Sequence, residues 1–350
     1  MKSDIVNYLK AVDFQHPEWI PAAISFLPAT WAGYGEELEK VVLAHPLVFP
    51  RYQPGDFRKI KLTPEFKLGR WTDVWGITWD NKEEGMCGAP LEADAPLREW
   101  DSLISYRVPD PLTQDRYGNA VDWERRRRSL AEVKAAGNLP SGWLFHGSMY
   151  MQLYYLRGFN NFMLDVAMKE PRLDALIRTV LDYNLKLIAK WIEVGAEWLY
   201  FGDDLGLQKS LPISPADWRR YLKPCFGKIY GTCRDRGVYT YQHTDGYILD
   251  IIPDLIDCGL NVLNPQVRPN TLEGIARCCR GKIAVNLDLD RQMFPFVPPA
   301  RIKEHVKEAI GVLARPEGGL MLMAECGPDV TLDRIEAICE AYEENNCRAV

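Results

Sequence analysis

The segment His243-Thr244-Asp245-Gly246 carries the strongest chemical signal in this chain. It closes Val238-Tyr239-Thr240-Tyr241-Gln242, a β-branched and aromatic run that reads as a strand. An imidazole and a carboxylate two positions apart on extended backbone point to the same side. Gly246 then lets the chain turn sharply into a helix-like stretch from Tyr247 to Cys258. A strand that ends in polar side chains and feeds a helix is how a βα barrel presents catalytic groups at its C-terminal rim. The pattern recurs at Asp203-Asp204, Asn264-Pro265-Gln266, Asn286-Leu287-Asp288 and Glu325-Cys326-Gly327. Any one of these alone reads equally as a turn or a helix cap; together they favour an enzyme.

Within that set the candidates differ in kind. His243 and His146 both end strands, whereas His16, His45 and His305 fall at expected loop or surface positions. A hydrogen-bonded structural role competes with catalysis at both, more strongly at His146. Cys326 follows the apolar run Met321-Leu322-Met323-Ala324, so a plain buried thiol is the competing reading. Imidazole, thiolate and carboxylate together suit zinc, and three protein ligands with an open fourth position describe a catalytic site. Asp203-Asp204 offers one carboxylate for the pocket and a neighbour to cap the next turn. Asp73, close in sequence to Trp71, Trp75 and Trp79, is either an acid with a raised pKa or a turn residue.

Regular elements must carry these side chains. Strand-like segments at residues 20–27, 142–145, 197–201, 238–242, 259–263, 283–285 and 319–323 alternate with helical ones, among them Leu173 to Val194 and Leu332 to Glu344. That alternation argues for parallel strands with right-handed crossovers. No GxGxxG follows the first strand and no GxxxxGK[ST] occurs, so neither a dinucleotide fold nor a P-loop is indicated. The expectation is an α/β (β/α)8 TIM barrel, a single domain over residues 1–350, with the eighth strand not evident. Residues 45–140, rich in Pro, Gly, Trp and Asp, are expected as a long N-terminal excursion covering the C-terminal rim.

The composition, 47% hydrophobic and 26% charged over 350 residues, is that of a soluble globular chain. A net charge of −6 gives no reason to expect nucleic acid or an anionic membrane as partner. The run Arg125-Arg126-Arg127-Arg128, flanked by Glu124 and Glu132, reads as a solvated helix face. Scattered cysteines without a CxxC pair fit a reduced cytoplasm, and neither a signal peptide nor a membrane-length apolar run is seen.

The same segments resemble the uroporphyrinogen decarboxylase superfamily. The resemblance is carried by Phe145-His146-Gly147 through Gly158, by Gly195 through Gly206 with its Gly-Asp-Asp-Leu-Gly, and by Ser214-Pro215 through Pro224. It continues at His243-Thr244-Asp245-Gly246, Gly259 through Pro265 and Glu325-Cys326-Gly327, and in the excursion at Asp73-Val74-Trp75-Gly76. It implies a (β/α)8 barrel. One branch of the superfamily removes the acetate carboxylates of uroporphyrinogen without a cofactor. Another moves methyl groups between a small substrate and a corrinoid protein, using zinc held by a His-x-Cys pair and a later Cys.

Against the first branch, the stretch Phe26 to Tyr34 lacks the arginines that hold the substrate's carboxylates, and Cys326 stands where that branch has histidine. Tyr155 does match its active-site tyrosine. Against the second, His243 and Cys326 match zinc ligands and Asp245 replaces the intervening cysteine. A carboxylate makes zinc a harder Lewis acid, suited to activating an ether oxygen.

The expected function is therefore transfer of a methyl group from a small methylated substrate, an O-methyl aromatic being one option, to the cobalt of a corrinoid (cobalamin) on a partner protein, as in an O-demethylase. The alternative is a cofactor-independent decarboxylase or lyase acting on a small carboxylic acid; a non-catalytic ligand-binding barrel is a third reading. His243, Asp203, Asp204, Asp73, Tyr155 and His146 are the expected catalytic groups. His243, Asp245 and Cys326 are the expected zinc ligands, with Glu325 as an alternative carboxylate. Trp31, Trp75, Asn264, Gln266, Asn286 and Asp288 are expected to line the substrate site. A homodimer is left open.

Overall fold

The computed structural model describes residues 1–349. Its strands are β1 (Ile20–Phe26), β2 (Gly69–Thr72), β3 (Thr78–Asn81), β4 (Ala89–Pro90), β5 (Ser141–Trp143), β6 (Trp198–Gly202), β7 (Tyr239–Thr244), β8 (Val262–Pro265), β9 (Ala284–Asp288), β10 (Leu320–Cys326) and β11 (Cys347–Arg348). All but β2, β3 and β4 belong to one eight-stranded sheet, with helices in the connections, and the fold is an α/β (β/α)8 barrel. The eighth strand, absent from the sequence reading, is the two-residue β11, parallel to the start of β1 through Ile20 and Cys347. A segment that short carries no hydrophobic period.

The chain divides into two compact units. The first comprises Gly69–Asp80 and Gly88–Asn261, and its barrel strands are β5, β6 and β7, paired in parallel. Trp198, Leu199 and Phe201 of β6 are buried on both faces, as a strand covered by helices requires. The helix Leu173–Glu193 buries Leu176, Val180, Leu187 and Trp191, the stripe its sequence shows. The next begins where Ser214 Oγ accepts from the Asp217 amide at 3.0 Å, with Pro215 in its first turn.

The excursion's share of this unit holds the small sheet β2-β3-β4. The run Trp71 to Trp79, which reads as one strand-like piece, is instead β2, a turn at Asp73–Ile77 and β3. The helix Trp123–Ala135 carries the arginine run; Arg125, Arg127 and Arg128 are exposed, while Arg126 lies over the rings of Trp123 and Trp191 at 5.0 and 4.8 Å. Its aliphatic stem and flat guanidinium suit an aromatic wall.

The second unit, built from Lys2–Leu68, Asn81–Cys87 and the chain from Val262 onward, holds β8, β9, β10, β1 and β11. β1 runs parallel to β10 from Ala22 opposite Leu322 to Phe26 opposite Cys326. Two histidines expected at loops or the surface are buried here. His45 lies 3.0 Å from Glu343 Oε2, and His305 Nε2 accepts from the Asp290 amide at 3.2 Å. Both serve the packing through a hydrogen bond, which sequence position alone does not reveal. No helix among the described residues is long and apolar enough to cross a membrane.

Candidate metal centre at the ends of β5, β6 and β7

His146, Asp204 and His243 each place one ligand-type atom so that all three lie within 4.8 Å of one another. Each follows or ends a neighbouring strand of the first unit. β5 stops at Trp143, and Leu144 and Phe145 carry the chain to His146 just beyond it. Gly202 ends β6, and Asp203 and Asp204 continue from it. His243 is the penultimate residue of β7, where Gly202 is its register partner.

Alternation along β7 decides what faces where. Thr240, Gln242 and Thr244 are buried, while His243 and Asp245 turn together to the other side. His243 Nε2 lies 3.1 Å from Asp245 Oδ1, the pairing the spacing implies. The buried side is pinned by Tyr230, whose hydroxyl donates to Gln242 Oε1 at 2.8 Å, and by the Leu205 amide, which donates to Thr244 Oγ1 at 3.0 Å.

Asp204 Oδ1 is 3.2 Å from His146 Nε2 and accepts from the Asp245 amide at 3.2 Å. Burial pushes the Asp204 carboxyl up, but the hydrogen bond and charge of His146 and the charge of His243 outweigh it and hold the group below the ordinary carboxylate range. It is therefore an anion at neutral pH. The two imidazole rings are 5.7 Å apart. His146 is brought this close because Gly202 has no side chain: a Cβ there would lie 2.5 Å from His146 Nδ1.

Asp203, the neighbouring carboxylate, does something else. It is almost wholly buried, and its oxygens accept from the amides of Met149, Tyr150 and Met151 at 3.0, 2.6 and 2.9 Å. It thus caps the helix Tyr150–Arg157 from across the sheet. Burial raises its pKa to about 6 against the pull of these amides. The expected catalytic role of Asp203 gives way to a supporting one, since its oxygens are occupied by backbone. Tyr155, one face further along the same helix, keeps its proton, because burial and the nearby Asp204 charge push its hydroxyl upward.

The loops after β6 and β7 touch through glycine. Gly246 has φ +83°, and a Cβ on it would fall 2.2 Å from the Gly206 carbonyl. Gly246→Ala is expected to lower stability by about 2 kcal/mol or more, since it combines left-handed backbone strain with a backbone clash. Thermal denaturation checks this, and an unchanged melting temperature would show that the contact is not rigid.

The remaining expected residues are placed as follows. Asp73 accepts from the Trp75 and Ile77 amides at 2.9 and 3.0 Å and from Trp79 Nε1 at 3.0 Å, with Arg116 Nε 3.6 Å away. Burial raises its pKa, and these contacts oppose the rise. It is the turn residue of the two readings, and its engaged oxygens argue against the proton-donor one. Trp75 is buried, 4.6 Å from the Tyr183 ring, and lines a small cleft with His146 and Arg116.

In the second unit, Trp31 is stacked between Tyr52 and Phe57, with centroids at 5.7 and 5.6 Å, so its faces are already covered. Asn264 donates to the Asn286 carbonyl at 2.5 Å and Gln266 bridges to Asp288, contacts that stitch β8 to β9. Gln266 and Asp288 also line a shallow cleft.

Cys326 departs from the expected ligand set. It is fully buried, and burial, then the proximity of Cys339, push its thiol well above the usual range. β10 alternates so that Glu325 turns the opposite way, to Arg291 Nη1 at 2.6 Å. Among the described residues the convergent set of possible ligands is His146, Asp204 and His243. The sequence named His146 and Asp204 but could not join them to His243, because three loops of different length bring them together.

A (β/α)8 barrel with two imidazoles and a carboxylate converging on adjacent strand ends has the layout of an enzyme site at a C-terminal rim. The family model for uroporphyrinogen decarboxylase (URO-D) matches residues 92–345, and the chain belongs to this family. Among solved structures it is similar to a methyltransferase from Methanosarcina mazei, with 16% identity, a TM-score of 0.66, and coverage of 97% of this chain and 98% of that one. At that identity the likeness is one of fold. A B12-independent methionine synthase from Shewanella sp. W3-18-1 is more distant, with 11% identity, a TM-score of 0.42, and coverage of 65% and 66%. No curated protein sequence matches the chain.

Proposed function

We propose that this protein is a methyltransferase that moves a methyl group from a small O-methylated substrate to the cobalt of a corrinoid carried by a partner protein, with a zinc ion held by His146, Asp204 and His243. The observation that carries the reading is the convergence of those three residues within 4.8 Å. Two imidazoles and a carboxylate fit zinc, and three protein ligands leave a position for substrate. Bound there, zinc would supply Lewis acidity toward an oxygen of the methyl donor.

The chain's own groups account for the rest of the site. Asp245, 3.1 Å from His243 Nε2, orients that ring, as a carboxylate beside a ligating histidine does. Gly202 sets the position of His146, and Asp203 fixes the helix that carries Tyr155. Tyr155 retains its hydroxyl proton and offers a donor near Asp204. A corrinoid in its Co(I) state on the partner would supply the two-electron nucleophile that takes the methyl group, and the donor's oxygen, leaving with the electron pair of the broken carbon–oxygen bond, would take a proton from solvent. The likeness to a methyltransferase structure and the absence of cations from Phe26 to Tyr34 favour this reading over decarboxylation of a polycarboxylate.

The test combines the protein with a reduced corrinoid protein and methoxylated aromatic donors. The expected result is a change in the cobalt's visible spectrum that requires all three components. Efficient decarboxylation of uroporphyrinogen without any corrinoid would overturn the proposal and restore the lyase alternative.

A further inference from the structure

Strand β6 runs out into three amides that need acceptors. Asp203 N donates to the His243 carbonyl at 3.1 Å, and Leu205 N to Thr244 Oγ1 at 3.0 Å, both on the β7 side. The Asp204 amide between them turns the other way, because successive amides on extended backbone point to opposite edges of a strand. On that edge β5 has already stopped at Trp143, and its continuation pairs only through Gly147, whose amide donates to the Gly202 carbonyl at 2.7 Å. Asp204 N donates instead to a side chain, Met151 Sδ, at 3.1 Å.

Met151 is held in place at both ends. Its own amide donates to Asp203 Oδ1 at 2.9 Å, and its side chain is buried. Gly147, the residue after His146, makes room for it: a Cβ there would lie 3.0 Å from Met151 Cβ and 2.9 Å from the Tyr155 ring. One helical turn on, the Tyr155 hydroxyl donates to the same sulfur at 3.7 Å. One thioether thus takes the backbone amide of Asp204, lies against the glycine that follows His146, and carries the hydroxyl beside them. The atom type suits the task. A thioether is a weak acceptor on a flexible, unbranched stem, so it satisfies an amide without dictating its position and holds the tyrosine proton only loosely. Leucine of similar size would accept nothing.

We propose that Met151 is a positioning residue of this site: through its sulfur it fixes the Asp204 backbone so that the carboxylate meets His146 and His243, and it ties Tyr155 to the same point. Calling Asp204 a ligand rests on the zinc reading above; the contact between amide and sulfur does not.

Two variants separate acceptance from packing. Met151→Leu keeps the volume and apolar character and removes the acceptor, whereas Met151→Gln keeps a similar length and supplies a stronger one. If Met151 only filled space, leucine would serve and glutamine, a buried amide, would be the more damaging. The positioning role predicts the opposite order. Competition of the purified protein against a chromophoric chelator is expected to show zinc bound about tenfold more weakly by Met151→Leu, the loss typical of an outer-shell partner, and within about threefold of wild type by Met151→Gln. Thermal denaturation shows which variants are folded. Hydrogen exchange at the Asp204 amide in the metal-free protein is expected to be slow in wild type and to quicken several-fold in Met151→Leu. The wild-type measurement stands even where a variant does not fold. Fast exchange in wild type overturns the proposal. So does zinc affinity that is unchanged in folded Met151→Leu, or weaker in folded Met151→Gln than in Met151→Leu. The two readings fail separately. Slow, Met151-dependent exchange in a protein that binds no zinc keeps the positioning contact and removes the metal centre; tight zinc binding indifferent to Met151→Leu does the reverse.

Discussion

His243→Ala is expected to abolish stoichiometric zinc binding and to slow methyl transfer by on the order of a hundredfold or more, because it removes one of three ligands and with it several kcal/mol of Lewis-acid stabilisation. The same loss of metal is expected for His146→Ala and for Asp204→Asn, since these three side chains alone form the convergent set among the described residues. Cys326→Ser is the discriminating control. If the thiol were a ligand, as its alignment with the later cysteine of the methyltransferase branch implies, this variant would lose zinc as well. Cys326 lies outside the convergent set and is fully buried, which leads to the opposite expectation, full zinc content with some loss of packing. Elemental analysis of protein purified without chelator, alongside the cobalt assay, reads both quantities. Zinc retained by His146→Ala and lost by Cys326→Ser would move the centre to the residues that the sequence pattern first indicated.

Much of this was legible in the chain before any coordinates. The alternation of strand and helix after residue 141 is a local signal, so the barrel and most of its elements follow from periodicity. The pairing of His243 with Asp245 was legible for the same reason: it depends on one strand and a period of two. Membership of the His146–Asp204–His243 group was not, because it depends on where three separate strand ends stop and on a glycine at 202 that lets a ring lie against the backbone. The roles of Asp203 and Asp204 could not be separated in sequence either. They differ by one residue, which on extended backbone means opposite directions, one into the amides of a helix and one into the site. Asp73 shows the converse case. Its aromatic neighbours suggested a tuned acid, yet two of them provide the hydrogen bonds that make it a turn residue. Nothing in its immediate sequence marks Arg116 as a cation that the fold sets among aromatic rings.

Asp203→Ala is expected to be the most destabilising single change in the neighbourhood, by about 3 kcal/mol or more. The carboxylate satisfies the amides of Met149, Tyr150 and Met151, which stand at and before the first turn of the helix Tyr150–Arg157. Alanine would leave those donors buried and unpaired, and each orphaned amide costs about 1–3 kcal/mol. Asp203→Asn is expected to cost less, since one side-chain oxygen still accepts, but its NH2 meets an amide donor at the other position. The effect should reach the chemistry indirectly: the helix carries Tyr155 and Gln152, and Asp204 follows Asp203 in the chain. Calorimetric unfolding measures the first effect, and zinc content measured well below the melting temperature measures the second. A positioning role predicts a lowered melting temperature for both variants, with zinc still bound by Asp203→Asn, because none of the three ligands has been changed. Melting temperatures equal to that of the wild type would show that water or a shifted backbone replaces the carboxylate, and that the helix does not depend on this contact.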